Sequence, residues 1–109
     1  MANSTFCFNQ DATRPYFAVQ LLKEKDRSVV DLTSCTVAFY FRHVDANQAK
    51  VSGAACNITD AVNGKVEYRW QVGDTAVPGL YNAEFRITFA DNSTQAIVIQ
   101  DVNVQERLL

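Results

Sequence analysis

Histidine is nearly missing from this 109-residue chain, with His43 the single example. Three cysteines, Cys7, Cys35 and Cys56, form no C-x-x-C pair, so a zinc quartet of Cys and His cannot be assembled. The expectation is reduced thiols serving as small apolar filler, with a Cys7–Cys35 disulfide as the alternative. No run approaches the ~20 apolar residues that span a membrane. The opening M-A-N-S-T-F-C-F lacks the charged start and continuous apolar stretch of a signal peptide, which points to synthesis in a reducing cytosol. On that reading the N-x-S/T sequons at Asn3, Asn57 and Asn92 are chance matches. The net charge is −2, and Lys23, Lys25, Arg27, Arg42, Lys50, Arg69 and Arg86 are scattered. Without a basic stripe, nucleic acid is not an expected partner, and neither is a membrane. No segment of useful length carries helical periodicity.

What the sequence does have is alternation. Val66, Tyr68 and Trp70 share one face of a strand pattern; Tyr81, Ala83, Phe85, Ile87 and Phe89 share one face of another. Successive strand side chains point to opposite faces, so each pattern wants one buried and one wet face. Together with these, at Lys65–Trp70 and Leu80–Ala90, strands are expected at Thr5–Gln10, Tyr16–Lys25, Cys35–Val44 (central, with aromatics on both faces), Gly53–Val62 and Thr94–Val104. In the last, the apolar face shifts phase between Ile97/Ile99 and Val102/Val104, which predicts a bulge near Gln100-Asp101. Pro15 ends the first strand, and Lys23 to Arg27 and Asp45 to Ser52 read as solvated loops. Asn63-Gly64 predicts a type I′ hairpin turn, and Asp91-Asn92-Ser93 a second hairpin turn. These short strands and tight turns predict an all-β fold, an antiparallel immunoglobulin-like β-sandwich of seven to eight strands. The expected organisation is one domain over 1–109, with arms at 1–4 and 105–109 and Trp70 as core anchor.

Chemistry finds little footing. His43 alternates with Phe41 and Phe39, as a strand-end residue in or near the core would, and Ser34 and Cys35 lie too near it to form a facing triad. Asp60, Asp74, Asp91 and Asp101 fall at turns, where aspartate serves the turn itself. A calcium site around Asp91 and Asn92 needs six to eight oxygens, and no dense D-x-D-x-D array supplies them. No catalytic residue, metal ligand or cofactor is expected, and the chain reads as a structural or binding module. A receptor- or glycan-binding module, with glycan contacts through Tyr16, Tyr40 or Tyr81, is the alternative. Asp31 and Thr33 suit a side-chain-closed turn, and Tyr81, behind Asp74 and Gly79, is placed like the tyrosine corner of sandwich domains.

The run Val30-Asp31-Leu32-Thr33, Val37-x-Phe39, Gly64-x-Val66-x-Tyr68-x-Trp70, Gly73-Asp74-Thr75, Pro78-Gly79-x-Tyr81-x-Ala83-Glu84-Phe85 and Thr88-Phe89-Ala90-Asp91 resembles the immunoglobulin-like N-terminal domain of phage baseplate upper proteins. With Thr13-Arg14-Pro15 the resemblance covers about residues 10 to 100. Ser34 stands where a glycine is common, Asn92 replaces a glycine, and Gln95-Ala96-Ile97 lacks the usual Pro-Asn. The resemblance implies a virion structural protein of the tail or baseplate, made in the host cytoplasm and assembled in many copies with other virion proteins. Capsid decoration is the second location considered. Asp31, Asn63, Gly64, Trp70, Asp74, Gly79 and Tyr81 are then structural residues, and Phe6, Tyr16, Tyr40, Leu108 and Leu109 are candidate interface residues.

Overall fold

Period-two burial organises the molecule. The structure, a computed structural model, describes residues 6–23, 26–46 and 49–106. They form β1 (Cys7–Asn9), β2 (Phe17–Gln20), β3 (Thr36–His43), β4 (Val51–Ala55), β5 (Asn57–Asp60), β6 (Lys65–Tyr68), β7 (Gly79–Thr88) and β8 (Thr94–Gln105), with no helix among the described residues. One sheet has the order β1-β8-β7-β3-β4 and the other β2-β6-β5. The fold is an all-β, two-sheet sandwich. Strand β3 is central, as its doubly aromatic pattern implies: Val37, Phe39 and Phe41 are buried while Ala38 and Tyr40 turn outward.

The core is an aromatic stack between the sheets. Phe41 lies flat on Tyr81 and Phe39 on Tyr68, each pair with centroids 4.2 Å apart, and Phe17 meets Phe85 edge-on at 5.5 Å. Trp70, just past the end of β6, packs on Phe8, Phe41 and Tyr68. Its indole Nε1 is buried with no hydrogen-bond partner among the described residues. Such a group costs about 1–3 kcal/mol, which the ring's apolar burial must offset.

The bulge in β8 falls where the phase shift put it. Tyr81 pairs with Val102 but Ala83 with Ile99, and Asp101 takes a left-handed φ of 63°. That extra residue returns Val102 and Val104 to the core. At the β7–β8 turn Asn92 has φ 70°, which asparagine tolerates better than most residues.

Four expectations are corrected. The pairing is not wholly antiparallel: β1 runs parallel to the end of β8, with Cys7 opposite Asn103. The strand expected over Gly53–Val62 is two strands in different sheets: β4, with Gly53 at φ 75° as an extra residue between pairs Phe39↔Ala54 and Tyr40↔Ser52, stays in the larger sheet until the chain leaves it after Cys56. The turn at Asn63-Gly64 is not type I′. Gly64 is left-handed at φ 67°, Asn63 is not, and the Gly64 N–H closes a four-residue turn on the Ala61 carbonyl at 3.1 Å. The Asn63 amide bonds Asp60 at 2.9 Å instead, and a type I turn followed by a left-handed glycine fits the connection. Finally, β2 ends at Gln20; Leu21 is still buried, its N–H donating to the Gly64 carbonyl and its carbonyl accepting the Val30 N–H. All three cysteines are free thiols.

Candidate assembly surfaces

The residues singled out from sequence fall at two ends of the sandwich. At the end where β3 begins, Asp31 Oδ1 accepts the Thr33 amide at 2.9 Å and its hydroxyl at 2.6 Å. Asp26 does the same with Ser28, and Asp91 with Ser93. The hydroxyl bond first and the amide bond second hold all three carboxyls below the ordinary aspartate range. Gly64 belongs to this end: a Cβ there would lie 2.6 Å from the Val30 carbonyl oxygen.

At the opposite end the chain from Trp70 to Tyr81 makes a corner. Asp74 Oδ2 accepts the Tyr68 hydroxyl at 2.5 Å and the Gln71 amide at 2.8 Å. The Tyr81 hydroxyl donates to the Val77 carbonyl at 2.7 Å, as in a tyrosine corner. Burial raises both phenols' pKa, and for Tyr68 the bond to Asp74 adds to it. Thr75, buried, donates from Oγ1 to Ala12, while Asp11 N–H and the Gln10 amide reach Thr75 and Ala76. His43 sits over Gly79, its Nδ1 accepting the Asp45 amide at 3.1 Å and its ring edge-on to Tyr81. Val72, 95% exposed, and the exposed Val44, Val77 and Leu80 ring this end.

The candidate interface residues do not form one patch. Phe6 is half-buried, its ring 4.8 Å from Phe17. Tyr16 and Tyr40 alternate with buried neighbours in different sheets and so look outward on opposite sides. Leu108, Leu109 and residues 1–5 lie outside the described residues, as do Glu24 and Lys25 of the charged loop and Asn47 and Gln48 of the polar one. Sequence reasoning missed the arginines. Arg14 and Arg69 lie over the Tyr16 ring, at 5.6 and 5.2 Å. Arg86 covers Tyr40 at 4.3 Å, donates to its hydroxyl and pairs with Glu84 at 2.8 Å. The outward set Asn82, Glu84 and Arg86 was readable from the alternation of β7; its cross-strand neighbour needed the register. No group of three or more His, Cys, Asp or Glu able to hold a metal occurs among the described residues.

In this two-sheet β-sandwich Asp26, Asp31, Asp74, Thr75, Tyr81 and Asp91 bond within its own turns and corners. Residues 9–105 match the family model described as the BppU N-terminal domain. The chain belongs to this baseplate upper protein N-terminal domain family, a family of structural proteins of the phage baseplate and tail. No curated protein matches the chain.

Proposed function

We propose that the protein is a multi-copy, immunoglobulin-like structural module of the phage tail or baseplate, made in the host cytoplasm and built into the virion as one domain over residues 1–109. It works by shape and edge complementarity with neighbouring virion proteins and with copies of itself. The observation that carries this reading is the extent of the family match, from Asn9 at the end of β1 to Gln105 at the end of β8, so that it takes in both sheets. The glycan-binding alternative needs open aromatic faces. Guanidinium groups lie over the rings of Tyr16 and Tyr40, and Tyr81 is buried, which favours the structural reading.

The test is immunogold electron microscopy on the particle that carries the protein. Label at the tail or its tip supports the proposal. Label over the head replaces it with capsid decoration, and absence of label from mature particles overturns it.

A further inference from the structure

Every sheet has edges, and this sandwich protects its edges unequally. Strand β4 is interrupted by the Gly53 bulge, and β5 by Thr59, which has no opposite residue between pairs Ile58↔Val66 and Asp60↔Lys65. Strand β2 has only four residues and β1 only three. Short length and bulges are the ordinary means of keeping an edge from pairing with another chain. Strand β8 is different. It runs for 12 residues, yet β1 covers only Asn103, Val104 and Gln105. From Thr94 to Ile99 it pairs with β7 on one side, and among the described residues no strand lies on the other as far as Gln100.

That open stretch reads T-Q-A-I-V-I-Q, without charge, proline or glycine. The Phe89 N–H to Ser93 C=O bond fixes its hydrogen-bonding phase. In an antiparallel ladder the bonded pairs alternate, so Gln95, Ile97 and Ile99 turn their backbone groups to β7. Those of Thr94, Ala96, Val98 and Gln100 point off the edge. Val98, 55% exposed, stands on the outer face beside it.

We propose that this edge pairs with the same edge of a second copy of the chain, antiparallel about a two-fold axis at Ile97, joining two five-stranded sheets into one. The proposal rests on the multi-copy reading above. In this register each outward-pointing residue meets another: Thr94 of one copy faces Gln100 of the other, and Ala96 faces Val98. Like charges never meet, since the stretch has none and Asp101 falls opposite Ser93. Side chains of the core face continue on the core face, because the register keeps odd residues opposite odd ones. One strand pair is smaller than the ~1,200–2,000 Å² of a stable interface. The isolated dimer is therefore weak, and the crowding of copies in a particle completes it.

Sedimentation equilibrium of the full chain, up to about 1 mM for so small an interface, tests this against two variants. Ala96→Pro removes an N–H that points off the edge and costs no bond to β7. Val98→Lys places a charge on the exposed edge and leaves the fold intact should the proline not be tolerated. The expected result is a monomer–dimer equilibrium for the parent, with Kd raised about tenfold or more in each folded variant. A parent that stays monomeric, or variants that dimerise as tightly as the parent, overturns the proposal. So does a parent that dimerises only after residues 1–5 are removed, which would give the edge to the chain's own arm. Particle labelling remains independent: a monomer that labels tails sinks the edge pairing alone, and a dimer that labels heads sinks the tail reading alone.

Discussion

The two ends of the sandwich are held by opposite means. Where β3 begins, Asp26, Asp31 and Asp91 each bond a hydroxyl and an amide two residues ahead. These bonds are exposed and close turns already nearly closed by the chain. Where β7 begins, Tyr68 reaches Asp74, Tyr81 reaches Val77 and Thr75 reaches Ala12, which is 63 positions away. Those bonds are half-buried, and the one from Thr75 to Ala12 joins segments that meet only in the folded molecule. One end is closed by exposed two-residue turns and the other by half-buried bonds, one of them between distant segments, so they should fail differently.

The glycines give the largest separation. Gly64→Ala pushes a Cβ against the Val30 and Leu21 carbonyls, backbone atoms that cannot swing aside, at a left-handed φ. Strain and overpacking together should cost about 2–5 kcal/mol, read from the urea midpoint. Gly79→Ala instead meets the His43 imidazole, the mobile end of a side chain, at φ 139°. It should cost about 1–3 kcal/mol, with part recovered in the double variant with His43→Ala. A full recovery would mean that backbone strain is negligible there.

Tyr81→Phe tests the corner bond alone and should lose about 0.5–1.5 kcal/mol. Ser34→Gly works in the other direction. Ser34 holds φ 63°, a conformation glycine adopts freely, so the variant should gain about 0.5–1 kcal/mol after glycine's own entropy cost. The smallest effect is pH. With folded pKa values below the ordinary 3.8, the turn aspartates contribute fully well above that value and lose their contribution as pH falls from it through their lower folded values. With folded values above the ordinary 10.0, Tyr68 and Tyr81 contribute below pH 10 and lose it as pH rises further. Amide exchange should therefore show acid loosening the turn end first and alkali the corner end. Loosening of both ends together at either extreme would dissolve the contrast.

The same contrast explains what could be read in advance. The β8 bulge was legible because a one-residue slip moves every later apolar side chain, so the core itself writes the phase into Ile97, Ile99, Val102 and Val104. The Asp31 turn was legible because its partner is two residues away. The sheet change at Cys56 was not: alternation tells which face is buried and not which sheet supplies it. The turn at Asn63 was misread because Asp60 competes for its side chain, an interaction the dipeptide alone does not contain. The parallel β1–β8 pair joins residues nearly a whole chain apart, and no local pattern encodes it. Arg69 over Tyr16 and Arg86 over Tyr40 were hidden because each pair joins distant positions.

That parallel pair has a mechanical consequence. Strands β1 and β8 run side by side in the same direction, one entering the described chain and the other leaving it. A pull applied at residues 6 and 106 draws the two strands past each other along their length. Their cross-strand bonds are loaded together in shear, where an antiparallel hairpin pulled at its open end would release them one by one. The short first strand thus acts as a clamp whose strength depends on the direction of the load.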